Sequence, residues 1–198
     1  MAKPKRLRLA PEERRKHLLD CARDIILEQG FASLTMEAVA KEASVSNPLI
    51  YKYFDTRLAL LQELLRREFL RFYGDIRLRL EEAEKLEDVI RIAVTSNFDE
   101  GASGNILSIL RSQPDIEAGL RNTKGLRDTH GVGKLLVDRF IADFGVSRGQ
   151  AAKMAVFSAG ASQAAALQWR LYGGNRERMI KDVLQFIHAG MASFVAEK

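Results

Sequence analysis

The fold of this chain is indicated most directly by residues 35–54, which read TMEAVAKEASVSNPLIYKYF. Thr35 and Ser46 each stand in front of a short run whose apolar residues recur at helical spacing, so both are predicted N-caps. The two predicted helices, Met36–Ala43 and Asn47–Tyr53, are separated by only a short turn. This pattern is typical of a helix-turn-helix, whose second helix fits the major groove of DNA.

The outer face of the second predicted helix carries residue types that suit a nucleic acid. Small apolar residues form the contact between the two helices. They leave outside one leucine and four polar or aromatic residues: Asn47, Leu49, Tyr51, Lys52 and Tyr53. Tyrosine hydroxyls and the Lys52 ammonium can donate to phosphates, and the helix N-termini at Thr35 and Ser46 favour anions. The spacing alone also fits a purely structural helical hairpin, so that alternative stays open.

A basic arm precedes this region. The net charge of the chain is +5, and residues 1–57 hold 11 Lys and Arg against 8 Asp and Glu. Lys5, Arg6 and Arg8 belong to a run without an acidic residue, and each cation that meets a phosphate releases a counterion. We therefore expect these three residues to contact DNA. A solvated terminus without a function is the alternative.

The remainder of the chain also shows helical periodicity, and no convincing strand alternation is present, so an all-α fold is predicted. Of the 198 residues, 46% are hydrophobic, which is enough for a sizeable core. Outside residues 35–54 the predicted helices are Pro11–Gln29, a long helix capped by Thr56, Glu87–Phe98, Asn105–Arg111 stopped by Pro114, Leu126–Phe144, a helix from Ser147 to Tyr172, and Asn175–Ala196.

At this point the sequence resembles a known family. The residues that carry the resemblance to the DNA-binding domain of the TetR (tetracycline-repressor-like) family are Gly30-Phe31, Thr35-Met36, Val39-Ala40, Ala43, Val45-Ser46, Tyr51, Tyr53-Phe54, Arg57, Ala59 and Leu60. The resemblance implies a three-helix helix-turn-helix DNA-binding domain, residues 1–57, and a helical ligand-binding and dimerisation domain, residues 58–198. It further implies a homodimer on a palindromic double-stranded operator, with repression relieved by a small apolar or amphipathic ligand.

The same resemblance assigns roles to individual residues. It implies contacts to the DNA backbone by Thr35, Tyr51, Tyr53 and Arg57, and it places Asn47, Pro48, Leu49 and Lys52 at base edges or nearby phosphates. One departure concerns the turn, where Ser44 stands in place of the family's usual glycine. A left-handed backbone there would cost a serine about 1–2 kcal/mol.

The C-terminal half offers a dimer interface and a ligand cavity. The segment Ala152–Tyr172 is rich in small residues, which allow close helix packing, and the resemblance implies that it forms a four-helix bundle across the dimer with Asn175–Ala196. A core within one chain is the alternative. Aromatic and polar side chains that could contact a ligand are Phe140, Phe157, Trp169, Asn97, His130 and Gln163, although such aromatics often belong to an ordinary core.

Other classes of protein are disfavoured. The three histidines are far apart and lack metal-ligand spacing, and neither a phosphate loop nor a nucleophile elbow is complete, so we expect no enzyme, metal or cofactor. A helical adaptor that binds protein remains an alternative. The single cysteine, Cys21, excludes an internal disulfide and is expected to be packed. Since no apolar run is long enough to span a membrane, a cytoplasmic location is expected.

Overall fold

The structure is a computed structural model that describes residues 9–102, 105–121 and 131–196. All regular elements in these ranges are helical, and the predicted all-α fold is confirmed. The α-helices are α1 (Pro11–Gln29), α2 (Met36–Glu42), α3 (Asn47–Tyr51), α4 (Arg57–Glu82), α5 (Leu86–Gly101), α6 (Ile106–Arg111), α7 (Pro114–Arg121), α8 (Val132–Phe144), α9 (Arg148–Tyr172) and α10 (Arg176–Ala196), with one turn of 3₁₀ helix at Phe31–Ser33.

The described residues divide into two compact units. The first contains residues 9–67 and 109–121, and the second contains residues 68–102, 105–108 and 131–196. The division falls within α4, between Arg67 and Glu68. One continuous helix therefore supplies residues to both units.

The core of the first unit forms because α1 is amphipathic. Its buried residues Leu18, Ala22, Ile25 and Ile26 recur at helical spacing and lie on the face that packs against α2 and the 3₁₀ turn. Burial of a large aliphatic side chain contributes about 1.5–3 kcal/mol, so this face contributes substantially to the stability of the unit.

Charged side chains fasten α4 to α1 within this unit. The Arg15 guanidinium donates through Nε and Nη2 to the Glu63 carboxylate, and Arg67 Nη1 lies 2.8 Å from Asp20 Oδ1. The bond to Glu63 raises the pKa of Arg15 above its ordinary value. These pairs are partly exposed, so they fix the register of the two helices more than they add stability.

Helix α7 is missing from the sequence-based prediction, which treated Pro114 only as a stop signal. Pro114 is the first residue of α7, a position where its lack of an N–H costs no intrahelical hydrogen bond. The new helix packs on α4 within the first unit, where Gln62 Nε2 donates to Asp115 O at 2.9 Å. A Cβ on Gly119 would lie only 2.8 Å from Gln62 Cγ, so a larger residue there would displace the Gln62 side chain.

Helix α9 is central to the second unit and packs against α5, α8 and α10. Phe98 and Phe140 are the largest fully buried side chains of its core. Ser147 caps α9 as predicted, since its Oγ accepts from Gln150 N at 3.3 Å and Gln150 Oε1 accepts from Ser147 N at 3.1 Å. In the described ranges, no helix is sufficiently long and apolar to cross a membrane.

The prediction that a helix runs through Gly131 is wrong. Gly131 has φ 60° and ψ 1°, a left-handed conformation that ends regular α-helical geometry, and it is the N-cap of α8. Helix α8 therefore begins at Val132, and residues 126–130 of the predicted helix lie outside the described residues.

The turn between α2 and α3 contains the strained residue that the sequence suggested. Ser44 has φ 53°, and it is the one non-glycine residue with positive φ among those described. Ser44 N donates to Lys41 O at 3.0 Å, and Val45 N donates to Ala40 O at 2.9 Å. These are the two hydrogen bonds of a Schellman motif, which ends a helix with one left-handed residue. The motif keeps its geometry although a serine occupies the glycine position.

We predict that Ser44→Gly stabilises the protein by about 1 kcal/mol, because glycine adopts this conformation without the Cβ clash. The measurement is the free energy of unfolding by urea. Ser44→Ala is the matched control, since it removes the hydroxyl, retains the Cβ and should bring no gain. Equal stability of the glycine and alanine variants would show that the left-handed backbone stores no strain.

Candidate nucleic-acid interface and apolar cavity

Helix α3 presents an exposed polar surface. Asn47, Pro48, Tyr51 and Lys52 are exposed, whereas Leu49 and Tyr53 are half-buried. Neither the Tyr51 hydroxyl nor the Lys52 ammonium makes a hydrogen bond or an ion pair with the described residues. Their donor groups are thus available to phosphates or base edges, as an α-helix in a groove requires.

Burial of two residues sets the orientation of α3. Ile50 is fully buried and Phe54 is 2% exposed, so the side of the helix that carries Ile50 is held in the core of the first unit. Arg15 adds a clamp, because its Nη1 donates to Tyr53 O at 3.1 Å and its guanidinium lies 4.8 Å from the centre of the Phe54 ring. The exposed surface of α3 is therefore presented by a rigid support.

The two predicted N-caps differ. Thr35 Oγ1 accepts a hydrogen bond from Ala38 N at 3.0 Å, so Thr35 caps α2 as expected. Ser46 occupies the N-cap position of α3, but its hydroxyl makes no capping hydrogen bond, so capping by its side chain is wrong. The Ser46 side chain is exposed beside the first turn of α3, where its predicted contact with DNA remains a prediction.

Arg57 has a structural role that the sequence did not indicate. Its Nε donates to Leu34 O at 2.7 Å, its Nη2 donates to Phe31 O at 3.4 Å, and its guanidinium lies 4.9 Å from the centre of the Phe31 ring. The side chain thus joins the start of α4 to the 3₁₀ turn, and this use of two nitrogen donors competes with the predicted phosphate contact. The predicted contacts Lys5, Arg6 and Arg8 lie outside the described residues.

The second unit contains an apolar cavity of about 490 Å³. Its volume lies within the range of small-molecule sites, about 300–1,000 Å³. The lining comes from α4, α5, α8, α9 and α10 together with Gly131; among its apolar members are Phe69, Phe72, Ile76, Val94, Val132, Leu136, Phe140, Ala155, Ile187 and Met191.

A few polar groups interrupt this lining. Asn97 Nδ2 donates to Ser162 Oγ at 2.6 Å, which links α5 to α9, and the Tyr73 hydroxyl donates to Glu100 Oε2 at 3.1 Å. Gln163 also reaches the cavity. An apolar space with a small number of placed polar groups is the usual form of a site for an amphipathic ligand.

The predicted ligand contacts divide into three groups. Asn97, Phe140 and Gln163 line the cavity, whereas Phe157 and Trp169 do not. Phe157 is 60% exposed and pairs with the ring of Phe194. Trp169 packs against Phe98 with ring centres 5.9 Å apart, and its Nε1 donates to Gly174 O at 3.3 Å, so it stabilises the end of α9 instead. His130, the sixth prediction, lies outside the described residues.

The sequence analysis missed the contribution of α4 to the cavity. Phe69, Phe72, Tyr73 and Ile76 follow the spacing i, i+3, i+4 and i+7, so they share one face of the helix. This spacing is a signal in the sequence from which the apolar face of α4 can be predicted.

Groups with reactive chemistry are sparse in the parts of the chain that the structure describes. In these parts, His, Cys, Asp and Glu residues form no cluster of three that could hold a metal ion. Burial raises the pKa of the Cys21 thiol to about 11, so this residue is a protonated packing group at neutral pH.

The contacts of Arg57 predict a stability effect. Arg57→Gln should lower the free energy of unfolding by about 1–2 kcal/mol, because two charge-assisted hydrogen bonds to the Leu34 and Phe31 carbonyls are lost. Thermal and urea denaturation measure the change. Arg66→Gln, an exposed substitution on the same helix, controls for the loss of charge. A stability equal to that of the control would contradict the structural role of Arg57.

Comparison with protein families identifies the N-terminal region. Residues 18–64 match the family model described as "Bacterial regulatory proteins, tetR family". A relative in Mycolicibacterium smegmatis, the "HTH-type transcriptional activator FasR", is 30% identical over 92 residues, which are 46% of this chain and 42% of that protein. The "HTH-type transcriptional repressor KstR" of the same organism is 40% identical over 62 residues, 31% of this chain and 30% of that one. This chain thus matches less than half the length of either relative.

Solved structures extend the similarity to the fold of almost the whole chain. A TetR-family transcriptional regulator from Streptomyces coelicolor superposes on this chain with a TM-score of 0.60 at 18% sequence identity. The superposition covers 91% of this chain and 99% of that structure. The sequence match lies on the helix-turn-helix, and the structural match covers both units. Over residues 18–64 the chain is thus similar to the TetR family of bacterial regulatory proteins, and its fold is similar to that of the solved TetR-family regulator.

Proposed function

We propose that this protein is a homodimeric transcriptional repressor that binds a palindromic operator and leaves it when a small amphipathic molecule occupies the cavity of the second unit. The observation that carries this proposal is the exposed, unpartnered donor surface of α3 on a rigid support. Such a surface suits recognition of DNA rather than catalysis, and the relatives that match this region bear the names of transcriptional regulators.

Helix α4 offers a physical link between ligand and DNA. Its Arg57 joins the 3₁₀ turn of the first unit, and its Phe69, Phe72 and Tyr73 line the cavity of the second. A ligand that prefers a different setting of α4 would shift the population toward a state with lower operator affinity. A coupling free energy of about 1–3 kcal/mol corresponds to a 5–150-fold change in affinity.

An exposed apolar surface supports the homodimer. Six large apolar side chains of α9 and α10 are exposed: Val156, Phe157, Leu167, Leu171, Tyr172 and Phe186. Tyr172 is 76% and Phe186 69% exposed. Concentration of such residues on two helices is unusual for a monomer surface and is typical of an interface.

The first test separates the two kinds of DNA contact. Tyr51→Phe should lower the affinity for operator and non-operator DNA alike, because a hydrogen bond to a phosphate carries no sequence information. Asn47→Ala should change the preference among operator variants by about 1–3 kcal/mol at one base pair. Operators are first selected from genomic fragments with the purified protein, and fluorescence anisotropy then gives each affinity.

Two outcomes would contradict this assignment. If the purified protein selects no DNA, the proposal that it is a transcriptional regulator is wrong. A uniform loss of affinity in both variants would reject a base-reading role for Asn47. A reporter gene placed behind the selected operator distinguishes the proposed repression from activation, the mode named for one of the relatives.

The second test concerns the dimer. Phe186→Glu should raise the dissociation constant of the dimer at least about 100-fold, since it would bury an unpaired carboxylate in the interface. Sedimentation velocity at micromolar protein measures the species present. Leu78→Glu is the matched control, because Leu78 is a 59% exposed apolar residue outside α9 and α10. A monomeric wild type, or a Phe186 variant as dimeric as the control, would contradict the proposed interface.

A further inference from the structure

We infer that the cavity selects an uncharged amphiphile that carries a hydroxyl group, and that Asn97 accepts the hydrogen bond of that hydroxyl. The inference rests on the proposed function only in so far as the cavity is a ligand site. It concerns the chemical class of the ligand and not its effect on DNA.

The hydrogen bonds of Asn97 fix the orientation of its amide. Nδ2 lies 3.3 Å from Ala93 O and 2.6 Å from Ser162 Oγ. A backbone carbonyl can only accept, so the atom that faces Ala93 O must be the nitrogen. Ser162 Oγ in turn donates its proton to Ala159 O at 3.1 Å, so it accepts from Asn97. Both amide protons of Asn97 therefore have partners inside the protein.

The carbonyl oxygen of Asn97 is left for a ligand. No described residue donates to Oδ1, and this atom is not among the buried polar atoms without a partner, so it remains accessible at the cavity wall. An accessible acceptor surrounded by apolar lining binds a hydrogen-bond donor more favourably than a group that can only accept. The ligand should consequently carry a donor at this point.

The other polar groups favour a donor without a charge. Lys, Arg and His do not occur among the described residues that line the cavity, so these offer no counter-ion to a carboxylate or phosphate ligand. The Glu100 carboxylate accepts from Tyr73, and the Ser96 hydroxyl donates to Ile92 O at 2.7 Å. An ammonium ligand could find a counter-ion in Glu100, but at Asn97 it would meet the oxygen of a neutral amide. A hydroxyl matches that acceptor without bringing a charge into the apolar space.

The experiment compares four probes with the same alkyl chain: decanol, methoxydecane, decanoate and decylamine. Each is used below its critical micelle concentration against the full-length protein without DNA, and displacement of N-phenylnaphthylamine reports binding. Decanol should bind about fivefold to tenfold tighter than methoxydecane, which has the same oxygen but no proton to donate. It should also bind tighter than decanoate and decylamine, whose charges must be desolvated.

Two variants locate the effect. In Asn97→Leu the advantage of decanol over methoxydecane should fall to less than twofold. Ser158→Ala, which removes a different hydroxyl from the cavity lining, should retain the advantage. If Asn97→Leu does not fold, Asn97→Ala replaces it in the same comparison, because the order of the probes on the wild-type protein does not locate the acceptor.

Each result has a defined meaning. Equal binding of decanol and methoxydecane, tighter binding of decanoate or decylamine, or no binding of any probe would overturn the inference. Operator affinity is measured separately with decanol present. If decanol shows the expected preference but leaves operator affinity unchanged, the inference stands and the proposed ligand-controlled release from DNA fails.

Discussion

The arrangement of the first unit depends on the burial of Ile50, because α3, the helix that carries this residue, is too short to be stable alone. Helix α3 has only five residues, and isolated helices of this length are unstable in water. Its conformation and orientation are therefore set by what its apolar side packs against. With Ile50 fully buried and Phe54 nearly so, the exposed side chains of α3 have only one direction in which to point.

The neighbouring elements maintain this constraint in different ways. The Schellman turn at Ser44 sets the angle at which the chain enters α3, and Arg15 holds its exit by a hydrogen bond to Tyr53 O. Arg57 fastens the start of α4 to the 3₁₀ turn. Each contact is of modest strength, but each acts on a backbone group. Together they fix the geometry of the exposed α3 surface more than they add to the stability of the unit.

The second unit has a different physical character. Its core is tightly packed around Phe98 and Phe140, yet a cavity of about 490 Å³ adjoins that core. The cavity leaves apolar side chains in contact with water, and burial of apolar surface is favourable. An apolar cavity of this size, with an oriented amide at its wall, therefore fits a protein that buries this surface against a ligand.

The sequence by itself determined the elements whose signals are local. Helical periodicity gave the bounds of α1 correctly, and hydroxyl residues marked the starts of α2, α4 and α9. The turn pattern indicated the resemblance that the family model matches over residues 18–64. It also placed Asn97, Phe140 and Gln163 in the group of candidate ligand contacts, and all three line the cavity. The helix bounds, the helix starts and the turn were predictable because capping, turn chemistry and amphipathicity act within a few residues of the chain.

Only the tertiary structure decided which side chains meet across distant segments. Phe157 and Trp169 resemble Phe140 in sequence, but Phe157 lies at the surface and Trp169 packs on Phe98, because the environment of an aromatic ring depends on the helices packed around it. Arg57 has the pattern of a phosphate contact, yet it donates to carbonyls more than twenty residues earlier in the chain. Periodicity defines a face of a helix, but it carries no information about the partner of that face.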